Sequence, residues 1–169
     1  MTKLVKGNTI YLSMGSNLGD KRTHLTRARE AIGDQVGDLG QTSRIYQSEA
    51  WGYSSAHSFY NCSLSVHTLL EPLVLLDALM SIEKSQGRIR MQGGYADRVI
   101  DIDLLFYGDI IMEHPRLTLP HPALGKRRFV LEPLAEIAPD LVHPLSGLTI
   151  RKMLEQCPDR TMVLPLEEV

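Results

Sequence analysis

The chain has 169 residues, 43% of them hydrophobic, which is enough for one globular domain with a substantial core. Its net charge of −2 excludes a globally basic nucleic-acid-binding protein, though not a local basic patch. The two cysteines, Cys62 and Cys157, match neither a metal knuckle nor a disulfide framework, so a reduced cytoplasmic setting is the simplest interpretation. We find no signal sequence and no apolar run of the roughly eighteen residues that a membrane span requires.

The first half of the chain alternates strand and helix signals. A strand is predicted over 9–14, ending at Gly15, and a helix over about 20–32 with Asp20 as its cap. Two further strands follow over 40–50 and 60–69, separated by a polar loop.

The second half opens with a helix from Glu71 that ends at Gly87, where glycine is a suitable C-terminal cap. A polar, glycine-containing loop is predicted over 87–98. The remaining predicted elements are strands over 99–107 and 110–112, followed by loop and short helices over about 129–137 and 149–156.

The order strand–helix–strand–strand–helix–strand is the split βαβ pattern of ferredoxin-like α+β folds. We therefore predict an antiparallel sheet with helices on one face and additional short C-terminal helices. The other face should remain free for loops and ligands. No repeat, low-complexity tract or linker divides the chain, so residues 1–169 are predicted to form a single domain.

Two aspartates define the most informative segment, Val99 to Phe106. Strand alternation places Asp101 and Asp103 on one face and the apolar residues between them on the other. Their Cα atoms should lie roughly 6–7 Å apart, from a rise of about 3.3 Å per residue. Their oxygens could then converge on one Mg²⁺ or share a pair, with water and phosphate completing the shell. The alternative, for an isolated Asp-x-Asp, is a solvated acidic face.

Basic residues surround this segment and favour the metal interpretation. Seven of them occur between positions 88 and 128, against five acidic residues: Arg88, Arg90, Arg98, Arg116, Lys126, Arg127 and Arg128. Guanidinium groups bind phosphate oxygens bidentately and remain charged throughout a reaction. Metal-holding carboxylates flanked by arginines are the parts that phosphoryl transfer needs, whereas surface ion pairing is the alternative for any single arginine.

Three further features complete the candidate site. His121 lies between two prolines, which fix its direction and make a phosphate hydrogen bond plausible. The segment from Gly15 to Asp20 lacks the P-loop and Rossmann spacings, and we interpret it as a tight strand-to-helix turn. A slot for a flat heterocycle is predicted from three aromatic residues and one amide, although each aromatic could equally be core: Trp51, Phe59, Phe129 and Asn61.

Taken together, these motifs resemble the 6-hydroxymethyl-7,8-dihydropterin pyrophosphokinases of folate biosynthesis, from Tyr11 to about Leu154. The resemblance rests on six segments in this order: Gly15-Ser16-Asn17-Leu18, Phe59-Tyr60-Asn61, Glu83 with Gln86-Gly87-Arg88-Ile89-Arg90, Arg98-Val99-Ile100-Asp101-Ile102-Asp103-Leu104-Leu105, Leu119-Pro120-His121-Pro122, and Arg127-Arg128-Phe129-Val130-Leu131-Glu132-Pro133-Leu134. Such an enzyme transfers diphosphate from ATP to the pterin hydroxymethyl group and releases AMP.

The resemblance also implies roles for individual residues on the phosphate side. Asp101 and Asp103 match positions that bind two Mg²⁺ ions bridging the ATP phosphates. The triphosphate would be gripped by the positions matching Arg88, Arg98, His121 and Arg127. Arg90 matches a loop arginine that helps to close the site, and it joins Arg88, Arg98 and the two aspartates in the expected catalytic set.

On the substrate side, the resemblance implies that the pterin lies between Phe59 and Phe129. Its edge would be read by Asn61 and by backbone around Ser48 and Trp51. The ATP-binding set extends to four further positions: Leu76, Glu83, Leu104 and Thr118. Adenine is expected to contact backbone near the last two, with Leu76 as an apolar neighbour. The expected partners are these small molecules alone, with no nucleic acid or membrane, and the chain is expected to be a monomer.

The sequence departs from the common family pattern in two places. Tyr95-Ala96-Asp97-Arg98 stands where many members have Trp-Gly-Pro-Arg, and this affects the expected loop closure and Arg98 geometry. Glu49-Ala50 replaces a frequent Pro-Pro pair near the pterin slot. Three rival interpretations remain: another ATP-dependent kinase or nucleotidyltransferase, a ferredoxin-like RNA-binding module, and an inactive regulatory domain.

Overall fold

The computed structural model describes residues 7–87 and 97–167. It contains eight strands: β1 (Asn8–Ser16), β2 (Gly37–Thr42), β3 (Tyr46–Ser48), β4 (Phe59–Thr68), β5 (Asp101–Tyr107), β6 (Met112–His114), β7 (Leu117–Leu119) and β8 (Val163–Pro165). The helices are α1 (Lys21–Gln35), α2 (Pro72–Ser85), α3 (Arg128–Ile137) and α4 (Ile150–Gln156), with a short 3₁₀ helix at Leu124–Lys126.

Six strands form one antiparallel sheet in the order β5-β1-β4-β3-β8, and β2 also pairs with β4. The two remaining strands, β6 and β7, form a separate hairpin. The protein is thus α+β with an antiparallel sheet, as predicted. None of the helices in the described ranges is both long and apolar enough to cross a bilayer.

The helix ends follow from the chemistry of single residues. Asp20 caps α1 as predicted, because its Oδ1 accepts a hydrogen bond from the backbone N–H of Thr23 at 3.2 Å. The helix then continues three residues beyond the expected end, to Gln35. Gly87 follows α2 with φ +93°, a left-handed conformation that glycine adopts without a steric penalty.

α1 and α2 pack against one face of the sheet. The side chains packed there come from both helices, from alternate positions of β1, β4 and β5, and from Ile100 directly before β5. The most buried are Ile10, Leu12, Met14, Leu25, Ala28, Ile32, Leu64, Leu75, Leu79, Ile82 and Ile100. Burial of apolar surface stabilises this layer by about 25 cal/mol per Å² removed from water.

The opposite face of the sheet also carries helices, whereas the sequence predicted helices on one face alone. α3 and α4 pack against part of it in a second apolar cluster: Leu105, Phe106, Leu124, Val130, Leu131, Leu134, Ala138, Ile150 and Cys157. The reason is a change within β5, where a register shift opposite Tyr11 and Leu12 accompanies the consecutive buried residues Leu105 and Phe106. Apolar side chains therefore emerge on both faces, and the second face requires a cover.

Other element boundaries also differ from prediction. The strand expected over 40–50 is two strands, β2 and β3. Between them the Ser43 hydroxyl, rather than its carbonyl, accepts the hydrogen bond from the Ser63 backbone N–H at 2.9 Å, which interrupts the regular ladder. The strand expected over 110–112 begins at Met112 and pairs with β7, which was assigned to loop, as was β8. β5 begins at Asp101 rather than at position 99. Most of the predicted loop over 87–98 lies outside the described residues.

Candidate active site

The part of the second face that α3 and α4 leave open is a cavity of about 230 Å³. Its walls come from β1, β3, β4, β5, the segment after β3 and the start of α3, and the lining residues are Ser13, Gly15, Ser48, Glu49, Trp51, Tyr53, Phe59, Asn61, Arg98, Asp101, Asp103, His121, Arg127 and Phe129. Carboxylates, guanidinium groups and aromatic rings thus meet in one cavity.

The floor of the cavity is built by strand register. Gly15 of β1 lies between Asp101 of β5 and Asn61 of β4, and Ser13 lies beside Asp103. A Cβ added at Gly15 would lie 3.2 Å from Asn61 Oδ1 and 3.5 Å from Phe59 Cδ1. The absence of a side chain at Gly15 therefore lets the amide and the ring approach the strand from above.

Asp101 and Asp103 project to the cavity side of β5, as the alternation predicted, while Ile102 and Leu104 are buried in the helix-covered core. The Asp101 side chain is 23% exposed, and its Oδ2 accepts a hydrogen bond from Arg98 Nη1 at 3.2 Å. Within the described ranges, no group of three or more His, Cys, Asp and Glu is placed to hold a metal ion. The aspartate pair suits Mg²⁺, which takes few protein carboxylates and completes its shell with water and phosphate oxygens.

Arg127 forms the wall beside the aromatic residues. Its guanidinium carbon lies 4.7 Å from the Trp51 ring centroid and 5.9 Å from that of Phe129, within the range of cation–π contacts. The Arg127 Nε atom is buried and has no hydrogen-bond partner among the described residues. A buried donor without a partner is costly, and the Arg127 side chain accepts this cost while it lines the cavity.

His121 is held in a neutral state. Burial, and then the positive charge of Arg127, lower the pKa of His121 to about 4, although the negative charge of Asp101 acts in the opposite direction. The Nδ1 atom accepts a hydrogen bond from the backbone N–H of Ala123 at 3.2 Å. In a neutral imidazole the proton is then on Nε2, which makes that atom a hydrogen-bond donor.

On the aromatic side, Trp51, Phe59 and Phe129 all line the same cavity as the amide of Asn61. Asn61 is 1% exposed, and its Nδ2 donates to Ser48 Oγ at 2.8 Å. This bond fixes which way the amide points. The five residues expected around the pterin are therefore brought together, and a flat, polar-edged ring has both stacking surfaces and a fixed amide available.

Four expected ATP-binding residues do not line the cavity. Glu83 is 2% exposed, and its Oε2 accepts a hydrogen bond from the backbone N–H of Ile102 at 2.9 Å, which ties α2 to β5. Leu104 is buried in the core, Leu76 is half-buried on α2, and Thr118 is exposed on β7. The other two expected residues, Arg88 and Arg90, lie outside the described ranges.

Sequence reasoning missed three lining residues, Ser13, Gly15 and Tyr53, while Glu49 was placed near the pterin slot by the resemblance alone. Gly15 was expected to stop the first strand, but β1 continues through it to Ser16. Ser13 and Gly15 share a face by alternation, so their small size on the cavity side was a usable signal. Tyr53 had no such signal, because its position depends on contacts with residues far along the chain.

Residues 11–139 match the family model described as 7,8-dihydro-6-hydroxymethylpterin-pyrophosphokinase (HPPK). The chain belongs to this family. It is 41% identical over 138 residues to a 2-amino-4-hydroxy-6-hydroxymethyldihydropteridine pyrophosphokinase of Porphyromonas gingivalis, covering 80% of this chain and 93% of that protein. This agrees with the motif order in the sequence.

Other HPPK relatives are much longer. The Folic acid synthesis protein FOL1 of Dictyostelium discoideum is 38% identical over 153 residues, which is 90% of this chain but only 23% of that protein. A crystal structure of a Plasmodium falciparum HPPK-DHPS triple mutant superposes with a TM-score of 0.71 at 18% identity, covering 92% of this chain and 45% of that one. That structure supports the α+β fold alone.

Proposed function

We propose that this chain transfers a diphosphate group from ATP to the hydroxymethyl group of 6-hydroxymethyl-7,8-dihydropterin, giving AMP and the pterin diphosphate for folate biosynthesis. Family membership supports the reaction class. The observation that carries the proposal is the joint lining of one cavity by Asp101, Asp103, Arg127, Phe59 and Phe129. Carboxylates and a guanidinium group suit a metal-bound triphosphate, and aromatic rings suit a flat heterocycle.

In this proposal, Asp101 and Asp103 hold two Mg²⁺ ions. When bound, the metal neutralises charge on the phosphate oxygens and fixes their position for in-line transfer. The strands arrange the rest, since Asp101 and Asn61 lie in register on either side of Gly15. Two strand spacings separate their Cα atoms by roughly 10 Å, which places the metal side next to the pterin side.

The triphosphate is held by Arg98, His121 and Arg127. Arg127 and His121 both line the cavity, and the charge of the Arg127 guanidinium group and the Nε2 proton of neutral His121 suit phosphate oxygens. The hydroxymethyl oxygen forms a bond to the β-phosphorus, and the bond from that phosphorus to the bridging oxygen of the α-phosphate breaks. AMP leaves with that oxygen, and the hydroxyl proton is released to solvent. Positioning and charge neutralisation supply the rate, so no strong base is needed.

The pterin lies between Phe59 and Phe129, with its edge read by Asn61 and by backbone near Ser48 and Trp51. The Asn61–Ser48 hydrogen bond supports this placement because it orients the amide before substrate arrives. A fixed amide recognises a polar ring edge without the cost of ordering it at binding.

We also propose that adenine binds outside the cavity, at backbone near Leu104 and Thr118 and beside Leu76. Glu83 belongs to the same proposed ATP-binding set. Arg88 and Arg90 keep their proposed catalytic roles.

We further propose a ferredoxin-like core, a single domain over 1–169, a monomer, and a cytoplasmic location, the last supported by two buried free cysteines. The observed order β5-β1-β4 with β2 and β3 beyond it supports the ferredoxin-like assignment.

The test is acceptor dependence. The protein is incubated with ATP and Mg²⁺, with or without the reduced hydroxymethylpterin, and ATP consumption is followed by chromatography. We expect consumption only with the pterin present. Equal consumption with an unrelated primary alcohol would instead support a general kinase, and a folded protein inactive with the pterin would contradict the proposal.

A further inference from the structure

Asp97 is the centre of a hydrogen-bonded cluster beside the cavity. A single oxygen, Oδ1, accepts three hydrogen bonds: from Ser55 Oγ at 2.7 Å, from Asn17 Nδ2 at 2.8 Å and from Tyr53 OH at 3.0 Å. These bonds, with Ser55 as the largest contribution, lower the pKa of Asp97 below its ordinary value despite opposing desolvation. The carboxylate is therefore charged at neutral pH and holds the segment after β3.

Asn17 extends this cluster to Arg98. Asn17 is fully buried, and its side-chain Oδ1 accepts a hydrogen bond from the Arg98 backbone N–H at 2.7 Å. The backbone N–H of Asn17 donates to the Arg98 carbonyl at 3.1 Å. The Arg98 backbone is thus fixed to the turn that follows β1. Its side chain in turn reaches Asp101 in the cavity.

Two cavity walls are joined through these few atoms. One wall carries Tyr53, on the segment between β3 and β4, and the other carries Arg98 next to Asp101. The Asn17 Nδ2 atom adds longer bonds to Tyr53 OH at 3.3 Å and to the His57 carbonyl at 3.4 Å. Since Asp97 is the direct neighbour of Arg98 in the chain, movement of either wall must disturb the other.

We propose that Asp97 is a positioning residue that sets the pterin-side segment 51–58 and the phosphate-side Arg98 in a fixed mutual geometry. This rests on the proposed function for the identity of the two substrates. Asp97 touches neither reacting group and acts through Tyr53, Ser55 and Arg98.

The kinetic test compares the single variant Asp97→Ala with the double variant Tyr53→Phe and Ser55→Ala. The double variant removes two of the three donors to Asp97 Oδ1. We expect Asp97→Ala to raise the KM for pterin and to lower kcat, each on the order of tenfold, because small displacements of positioned groups are costly. The triple variant, which carries all three substitutions, should have the same pterin KM as Asp97→Ala alone, because Tyr53 and Ser55 act through Asp97. Asp97→Asn, which keeps an Oδ1 acceptor, should recover most of the loss.

The control is Asp140→Ala, which removes an exposed carboxylate that pairs with Arg151 and takes no part in the Asp97 cluster. It should leave both kinetic constants unchanged. A wild-type pterin KM in Asp97→Ala, or effects that multiply in the triple variant, would overturn the proposal. A lower thermal midpoint with unchanged KM and kcat would show a purely structural role and would overturn it as well.

A second readout needs no substrate and therefore separates this proposal from the proposed function. Amide hydrogen exchange over residues 52–58 of the ligand-free protein should accelerate on the order of tenfold in Asp97→Ala and not in Asp140→Ala, because local opening tracks lost contacts. Faster exchange in a protein inactive on the pterin would contradict the proposed function alone. Unchanged exchange would overturn the cluster's role in holding this segment.

Discussion

The two faces of the central sheet are built from the same strands but have different contents. On the face covered by α1 and α2, alternate residues such as Leu12, Ile102 and Leu64 are buried and apolar. On the other face, the neighbouring positions are Ser13, Asp103 and Ser63. A step of one residue along each strand therefore separates the apolar core from the residues that line the candidate site.

The second face is itself divided along β5. Asp101 and Asp103 line the cavity, whereas Phe106, further along the strand, packs under α3 and α4. The apolar half anchors α3, and the start of this helix brings its N-cap Arg127 and its second residue Phe129 to the cavity. The comparison teaches that stability and activity should respond separately to substitution, and the following variants test this separation.

The largest effect is expected for Asp103→Ala. Turnover should fall by at least about 10³-fold, because several kcal/mol of metal-dependent charge stabilisation are lost. The thermal midpoint should change little, since the carboxylate lines a cavity rather than the core. Asp101→Ala should behave similarly. Steady-state kinetics and thermal unfolding of the same preparations provide the check, and wild-type turnover at saturating Mg²⁺ would refute the metal assignment.

The converse effect is expected on the helix-covered face. Leu79 is 1% exposed, so Leu79→Ala should lower the free energy of unfolding by about 2–5 kcal/mol through lost burial and a cavity. The KM values of the folded protein should not change. Val74→Ala on the same helix is the matched control, because Val74 is 54% exposed and should cost little. Urea unfolding measures the difference, and equal costs for the two variants would contradict the assigned core.

Phe129→Ala tests the boundary between the two halves of the second face. Pterin binding should weaken by about 1–3 kcal/mol, the scale of lost stacking on a flat ring, while ATP affinity should change much less. Isothermal titration calorimetry measures both. Phe106→Leu is the control, since that ring lies in the apolar cluster and should affect unfolding but not pterin binding. Equal weakening of ATP and pterin would place Phe129 in the core.

The smallest effect is a pH dependence that arises from His121. Its pKa in the folded protein, about 4, is below the ordinary value of 6.5, so the unfolded chain binds more protons between these values. The contribution of neutral His121 to stability is therefore complete above pH 6.5 and is lost as the pH falls toward 4. Urea unfolding at pH 7 and pH 5 should show a smaller decrease for His121→Gln than for the wild type. An identical decrease in both proteins would contradict the buried neutral state.

Local signals in the sequence predicted much of this fold. Alternation placed Asp101 and Asp103 on one side of β5, and Asp20 and Gly87 marked helix ends through their own backbone chemistry. The aromatic residues and Asn61 were expected to meet, and they line one cavity. The two aspartates and the helix ends follow from strand periodicity or from interactions within a few residues, whereas the aromatic slot was expected from residue type and from the family resemblance.

Features that depend on distant residues were not predictable in the same way. β8 exists because it pairs with β3, more than a hundred positions earlier in the chain. The Asp97 cluster joins Asn17, Tyr53 and Ser55 across separations of 80, 44 and 42 positions. No local pattern encodes such contacts. The sequence indicated only that Asp97 departs from the common family pattern, without showing what it binds.

The measurement that tests the central claim most directly is phosphorus NMR of the complete reaction with ATP, Mg²⁺ and the reduced hydroxymethylpterin. In-line attack on the β-phosphorus requires the pterin side of the cavity to face the middle of the triphosphate, and in our proposal Arg127 holds part of the triphosphate. We expect AMP together with two coupled phosphorus resonances of a pterin-linked diphosphate. ADP with a pterin monophosphate would contradict the account of the cavity as a pyrophosphokinase site.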